Sequence, residues 1–294
     1  MTTEMSTEPT AGLDKRRIAA SFNRAAGTYE QHDFVQREVA ARALERLDYI
    51  ALVPQHALDV GSGTGRCARA LASRYPRARI LQCDLAPAML ALARSRERRF
   101  FSRQTFVAAD IEQLPFSPAA FQLAFSSLAL QWCQQLASAF AEIRRVLAPG
   151  GLFLFTTLGP DTLGELRRAW ANASAAPHVN NFFDMHDVGD ALMAAGFADP
   201  VMETEYLTVD YENVMTLMRD LKGIGASNSA LERTRGLHGR RALSAVTAAY
   251  EHERRNGKLP ATYEVIYGHA WAEEGQRRRP SDVRTFPLER LRRK

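Results

Sequence analysis

Residues 57–65 read Ala-Leu-Asp-Val-Gly-Ser-Gly-Thr-Gly, an apolar strand pattern that runs into three glycines at alternate positions. Glycine is needed where the backbone turns with positive φ and where a ligand lies against the main chain. The spacing is G-x-G-x-G and no P-loop lysine follows, which disfavours a phosphate cradle. Asp84 closes the next apolar run, Ile80 to Cys83. A carboxylate at the end of that strand lies beside the crevice of an open α/β sheet and can accept both hydrogens of a ribose diol. Alone it would more commonly cap the helix beginning near Pro87. Asp110 ends a third run, where it can receive an adenine amino group while Ile111 packs on the ring. Three such features at the ends of three consecutive strands are hard to attribute to turns alone.

The elements that must carry these residues follow from hydrophobic period. Short apolar runs at Ala57 to Val60, Arg79 to Cys83, Thr105 to Ala109, Phe121 to Phe125 and Gly151 to Thr157 read as strands buried on both faces. Ala- and Leu-rich segments at Cys67 to Tyr75 and Ala86 to Arg94 have helical spacing, so the order is β-α-β-α and the sheet is mostly parallel. Two helices broken near Gly27 precede this core between Lys15 and Leu52. After it come helices at Asp161 to Ala173, Asp187 to Ala195, Glu212 to Gly223 and Arg241 to Arg254, with strands near Met202 to Val209 and at Tyr263 to Trp271. The expected fold class is α/β, a Rossmann-like seven-stranded sheet with helices on both faces and a helical cap insertion.

The chain has 294 residues, 46% hydrophobic and 24% charged, which fits a soluble globular protein and excludes wholesale disorder. No apolar run is long enough for a membrane helix and no secretory signal is visible, so the expected compartment is the cytoplasm. Cys67, Cys83 and Cys133 are too few and too scattered for a disulfide framework or a CxxC metal site, and no metal is expected. The net charge of +5 is unevenly placed. Residues 214–258 hold nine Lys and Arg against four Asp and Glu, and residues 273–294 hold eight against four. Such basicity attracts acidic partners, or is a solvated helix face plus a loose tail.

In combination these motifs resemble a class I S-adenosylmethionine-dependent methyltransferase. Leu58 to Gly65 resembles its first motif, Asp84 its ribose-binding acid, Asp110 with Ile111 its adenine contact, and Arg144 to Phe155 its helix, turn and fifth strand. The flanks are similar to a narrower group, the malonyl-carrier-protein O-methyltransferases of biotin synthesis, the BioC family. That likeness rests on Ser21 to Glu30, Val35 to Val39, Leu130-Gln131-Trp132, Leu221 to Ala226, Gly236 to Arg241 and Thr262 to His269. Ser62 stands where many members have Cys, and Ser127 where Asn is common. The resemblance implies S-adenosyl-L-methionine as cofactor, held by Asp59, Gly61, Gly63, Gly65, Asp84, Leu85, Asp110, Ile111 and Ser126. It implies transfer of a methyl group to the free carboxylate of a malonyl thioester on acyl carrier protein.

A malonyl carboxylate with an ordinary pKa of about 4 is ionised at pH 7, so no general base is needed. Positioning supplies about 7 to 11 kcal/mol, more than a base does, so orienting residues are sought instead of a triad. Tyr29 is the candidate orienter. Arg24, Arg37 and Lys222 stand open as the cation facing the carboxylate, and Gln131 and Trp132 as acceptor-side contacts. Arg233, Arg235, Arg240 and Arg241 would face an acidic carrier protein, with malonyl-CoA as the smaller alternative acceptor; neither nucleic acid nor membrane is expected, and the chain is expected to be a monomer. Two rivals remain: a respiratory-complex assembly factor of the same fold, acting on or binding a protein side chain, and a methyltransferase for a free small acid. The chain divides into a flexible start (1–14), N-terminal helices closing over the donor site (15–52), the donor-binding core (53–160), core completion with a helical substrate cap (161–258), a final strand (259–272) and a basic tail (273–294).

Overall fold

The computed structural model describes residues 13–97, 102–173, 178–226 and 240–272. The five apolar runs form β1 (His56–Val60), β2 (Arg79–Asp84), β3 (Gln104–Ala108), β4 (Phe121–Ser127) and β5 (Leu147–Leu158). They pair in parallel, with α4 (Arg66–Arg74), α5 (Pro87–Ser95) and α6 (Leu136–Val146) lying between successive strands. β6 (Ala198–Tyr211) and β7 (Leu259–Ala272) are long and antiparallel to each other, and β7 is also antiparallel to β5. The sheet has seven strands in the order β3-β2-β1-β4-β5-β7-β6. Its connections reverse direction between β1 and β4, so the crevice for a ligand opens there at the strands' carboxyl ends.

Strand alternation divides the interior into two cores. On β4 and β5, Leu123, Phe125, Leu152 and Leu154 face one side, while Ala124, Phe153 and Phe155 face the other. α6 covers the second side with Leu136, Ala139, Phe140, Ile143 and Val146, the three-to-four spacing of an amphipathic helix. α8 (Met185–Ala194) adds Val188 and Leu192 to the same side. The first side is covered by α3 (Phe34–Arg46) and α4, and by α7 (Gly164–Ala171), α9 (Val214–Gly223) and α10 (Arg240–Glu251).

The expected pair of N-terminal helices is three: α1 (Lys15–Ala25), the single turn α2 (Tyr29–His32), and α3. They do not share one role. α3 buries Val35, Val39, Ala40 and Ala43 against the sheet as a structural layer, whereas α1 packs on α5 beside the crevice. Within the segment 161–258, expected to complete the core and carry a helical cap, β6 forms the edge of the main sheet. Among the described residues, no helix is long and apolar enough to cross a membrane.

Candidate active site

The glycine loop turns at Gly61, Gly63 and Gly65 with φ of +70°, +53° and +78°. The Gly61 N–H donates to the Cys83 carbonyl (2.8 Å), which pins the loop to the end of β2. A Cβ at Gly61 would lie 2.2 Å from Ala129 Cβ, so no other residue fits. At Gly63 a Cβ would meet nothing within 4 Å, because that side of the loop faces a cavity of about 700 Å³. The Gly63 N–H donates to Asp84 Oδ2 and the Ala86 N–H to Asp84 Oδ1, each at 2.8 Å. Asp84 therefore joins the loop to α5 while its carboxylate lines the cavity. Burial raises its pKa above the usual carboxylate value despite the two N–H donors.

Leu85, Asp110 and Ile111 line the same cavity, as do Gly61, Gly63 and Asp84. Open space over a glycine backbone, a carboxylate beside it and an acid with an apolar neighbour farther along fit a nucleoside with a free diol. Lys15 on α1 was not visible as a site residue. Its ammonium lies 2.6 Å from both oxygens of Asp110 and also pairs with Glu112. That contact spans 95 residues of sequence, so no local pattern announces it.

Three residues expected at the cofactor, Asp59, Gly65 and Ser126, are not among those that line this cavity. Asp59 is buried on β1, where it accepts from the Ala68 N–H at the start of α4, and burial pushes its pKa up to about 7. Gly65 caps α4, and a Cβ there would lie 2.6 Å from Gln82 Oε1 and 3.0 Å from Ala93 Cβ; its role is close packing. Ser126 is fully buried on the Ala124 side of β4, and its neighbour Ser127 reaches the cavity instead. β4 continues to Ser127, so alternation turns Ser126 inward.

A second cavity, of about 780 Å³, adjoins the first and shares four wall residues with it: Phe22, Tyr29, Leu128 and Trp132. Phe22 and Trp132 meet edge to face with centroids 5.3 Å apart. Trp132 is thus a wall between chambers and not a core residue. Tyr29 is held there by its neighbours, since Glu30 accepts from Thr64 Oγ1 (2.7 Å) and pairs with Arg96, and Asp33 pairs with Arg66 (2.7 Å). Burial, with Asp33 and Asp84 nearby, drives the Tyr29 phenol well above its ordinary pKa, so it is a neutral hydroxyl.

The second cavity is lined mainly by apolar groups, including Val35, Leu163, Leu166, Phe182 and Ile224. Its residues with polar side-chain groups are Tyr29, Gln36, Gln131, Trp132 through its indole N–H, His178, Asn180 and Tyr263. Gln131 donates to the Leu128 carbonyl (2.7 Å). Arg24, Arg37 and Lys222 are exposed and lie outside both linings, so the structure does not bring any of these cations to the cavity. Arg241 is exposed at the start of α10. Arg233 and Arg235, the side chain of Arg240 and the tail 273–294 fall outside the described residues. His178 and Asn180 escaped notice because they sit in a loop with no periodic signal.

Residues 58–155 match the family model described as a methyltransferase domain. Over 90% of its length the chain is 52% identical to a malonyl-acyl-carrier-protein O-methyltransferase of Methylovorus sp., covering 91% of that protein. It is 50% identical to the protein of the same name from Laribacter hongkongensis, covering 92% of this chain and 93% of the relative. In fold it is similar to the phosphoethanolamine N-methyltransferase 2 of Haemonchus contortus, solved in complex with S-adenosyl-L-methionine. The TM-score is 0.54 at 18% identity, over 86% of this chain and 57% of the other.

Proposed function

The chain belongs to the malonyl-acyl-carrier-protein O-methyltransferase family, and from that premise we propose how its residues divide the work. The enzyme transfers a methyl group from S-adenosyl-L-methionine to the free carboxylate of malonyl-acyl carrier protein, giving the methyl ester that primes biotin synthesis. When bound, the donor supplies an activated methyl group. Gly61 and Gly63 leave room for it, Asp84 accepts from its ribose hydroxyls, and Asp110 with Ile111 holds its adenine. Lys15 fixes the Asp110 carboxylate and closes that end of the cavity.

The observation that carries this reading is the shared wall. A chamber lined by Gly61, Gly63, Asp84, Asp110 and Ile111 and an apolar, amide-lined chamber meet at Tyr29, Trp132, Phe22 and Leu128. Chemistry at that junction requires two reactants held in contact and water kept out, which the three aromatic rings supply. The nucleophile is already ionised at neutral pH, so no residue removes a proton. Tyr29, as a neutral hydroxyl, orients the acceptor. The basic start of α10, with Arg240 and Arg241, would face the acidic carrier and speed its arrival.

Methyl-labelled donor offered to malonyl-carrier protein and to acetyl-carrier protein tests the assignment of the reacting atom. Label should enter only the malonyl form, as a base-labile ester. Equal labelling of both would move the reaction off the carboxylate.

A further inference from the structure

The acceptor-side cavity has an electrostatic requirement that the expected cations do not meet. A carboxylate brought from water into an apolar chamber is strongly disfavoured unless hydrogen-bond donors surround it. Arg24, Arg37 and Lys222 are outside the walls, and among the described residues the lining holds neither Lys nor Arg. Its amides and phenols are neutral donors. Among the described residues of the lining, one side chain can both donate a strong hydrogen bond and carry positive charge, and that is His178.

The His178 ring lies flat on Trp170, with centroids 3.8 Å apart and planes 16° apart. Trp170 is itself buried on α7 and belongs to the core beneath the sheet. The plane of the imidazole is therefore set by packing from behind. Both ring nitrogens lie in that plane, so stacking leaves their hydrogen-bonding directions clear of Trp170. Asn180, two residues on, lines the same chamber.

We infer that His178 receives the malonyl carboxylate and thereby selects acyl groups that end in one; this rests on the malonyl reading given above. The chemistry favours an imidazole over a guanidinium here. A bidentate Arg engages both carboxylate oxygens, including the one that must remain free to react. A single imidazole N–H holds one oxygen by a directional bond and leaves the other available. An acyl group without a terminal carboxylate forgoes this charge-assisted hydrogen bond, so the site favours acyl groups that carry one. No proton leaves the acceptor, so His178 binds and orients and does not act as a base.

The test compares His178→Ala and His178→Gln with the unaltered enzyme in three measurements. These are kcat and KM for malonyl-carrier protein, inhibition by acetyl-carrier protein, and affinity for S-adenosylhomocysteine. Loss of a hydrogen bond to a charged group should lower kcat/KM in His178→Ala by about 10- to 100-fold, mostly through KM. Acetyl-carrier protein, which has the same arm and no carboxylate, should inhibit nearly as before. Affinity for S-adenosylhomocysteine should hold, because His178 lies outside the donor cavity. His178→Gln, which keeps a donor, should recover part of the loss. Parallel losses for malonyl and acetyl carriers would overturn the assignment and place His178 on the arm or in packing, and unchanged malonyl kinetics would overturn it outright. If His178→Ala fails to bind S-adenosylhomocysteine it has lost its fold, and the malonyl-to-acetyl ratio in His178→Gln decides. A wild-type enzyme inactive on malonyl-carrier protein would instead refute the functional reading itself.

Discussion

Replacement of Asp84 probes the donor site at the point where loop geometry and ligand recognition meet. Its carboxylate accepts from the Gly63 and Ala86 N–H groups at 2.8 Å each, and the residue lines the cavity. Asp84→Ala removes a charged acceptor from a ligand diol, worth about 1.5 to 3 kcal/mol for a hydrogen bond to a charged group. That corresponds to roughly 10- to 150-fold weaker binding. The same change leaves two backbone donors unmatched, at a stability cost of about 1 to 3 kcal/mol for each that is shut off from water. Asp84→Asn keeps an acceptor oxygen but turns an N–H₂ group toward one of the existing donors, so it too should weaken binding, by less. Calorimetry with S-adenosylhomocysteine measures the first effect and thermal unfolding without ligand the second. The pH dependence adds a signature. Because burial raises the Asp84 pKa, the ionised form that a diol prefers is lost at a higher pH than for an ordinary carboxylate. Donor affinity should therefore fall on acidification before exposed carboxylates titrate, and Asp84→Asn should lack this fall. Unchanged affinity in Asp84→Ala, with the fold intact, would refute the assignment of Asp84 to the ligand.

Other residues make separate predictions. Asp59, raised to about 7 by burial, favours the folded state while protonated and opposes it once ionised. Stability should thus decline from about pH 4 through pH 7, and Asp59→Asn, followed by urea unfolding across that range, should remove much of the decline; an unaltered slope would count against it. Tyr29→Phe keeps the ring between the chambers and removes the hydroxyl, so single-turnover rates should drop about tenfold. In both proteins the rate at saturating acceptor, where binding through His178 no longer limits, should vary little from pH 6 to 8, since neither the carboxylate nor the Tyr29 phenol titrates there; a tenfold rise per pH unit would reveal a base. Replacing both Arg240 and Arg241 by Glu should slow association with malonyl-carrier protein, less so as salt shortens the Debye length from about 10 Å at 0.1 M to about 3 Å at 1 M. Malonyl-CoA should be spared, and equal losses for both acceptors would remove these arginines from carrier recognition.

What could be read in the sequence was what short-range chemistry encodes. Runs buried on both faces marked β1 to β5, and the strand-end placement of Gly63, Asp84 and Asp110 brought them to one cavity as expected. Edge strand β6 runs from Ala198 to Tyr211, well past the Met202 to Val209 expected, because an exposed edge mixes polar and apolar residues. Ser127 and not Ser126 lines the donor cavity, because one residue of strand length decides which face a side chain takes. Asp59 belongs to the motif yet serves the β1–α4 junction, since its position on the strand buries it beneath the loop. Lys15, Gln36, His178 and Asn180 come to the cavities from α1, α3 and a loop, and only tertiary packing brings such distant segments together. The three cations proposed for the carboxylate follow cavity segments in sequence but point outward, as charged residues on amphipathic helices do.

The most direct measurement is intact-mass analysis of malonyl-carrier protein after incubation with this enzyme and S-adenosyl-L-methionine. The account predicts a gain of one methylene on the malonyl arm, reversed by an esterase, and no gain on acetyl-carrier protein. A mass shift on the carrier polypeptide, or none on the malonyl arm while the enzyme binds S-adenosylhomocysteine normally, would contradict it.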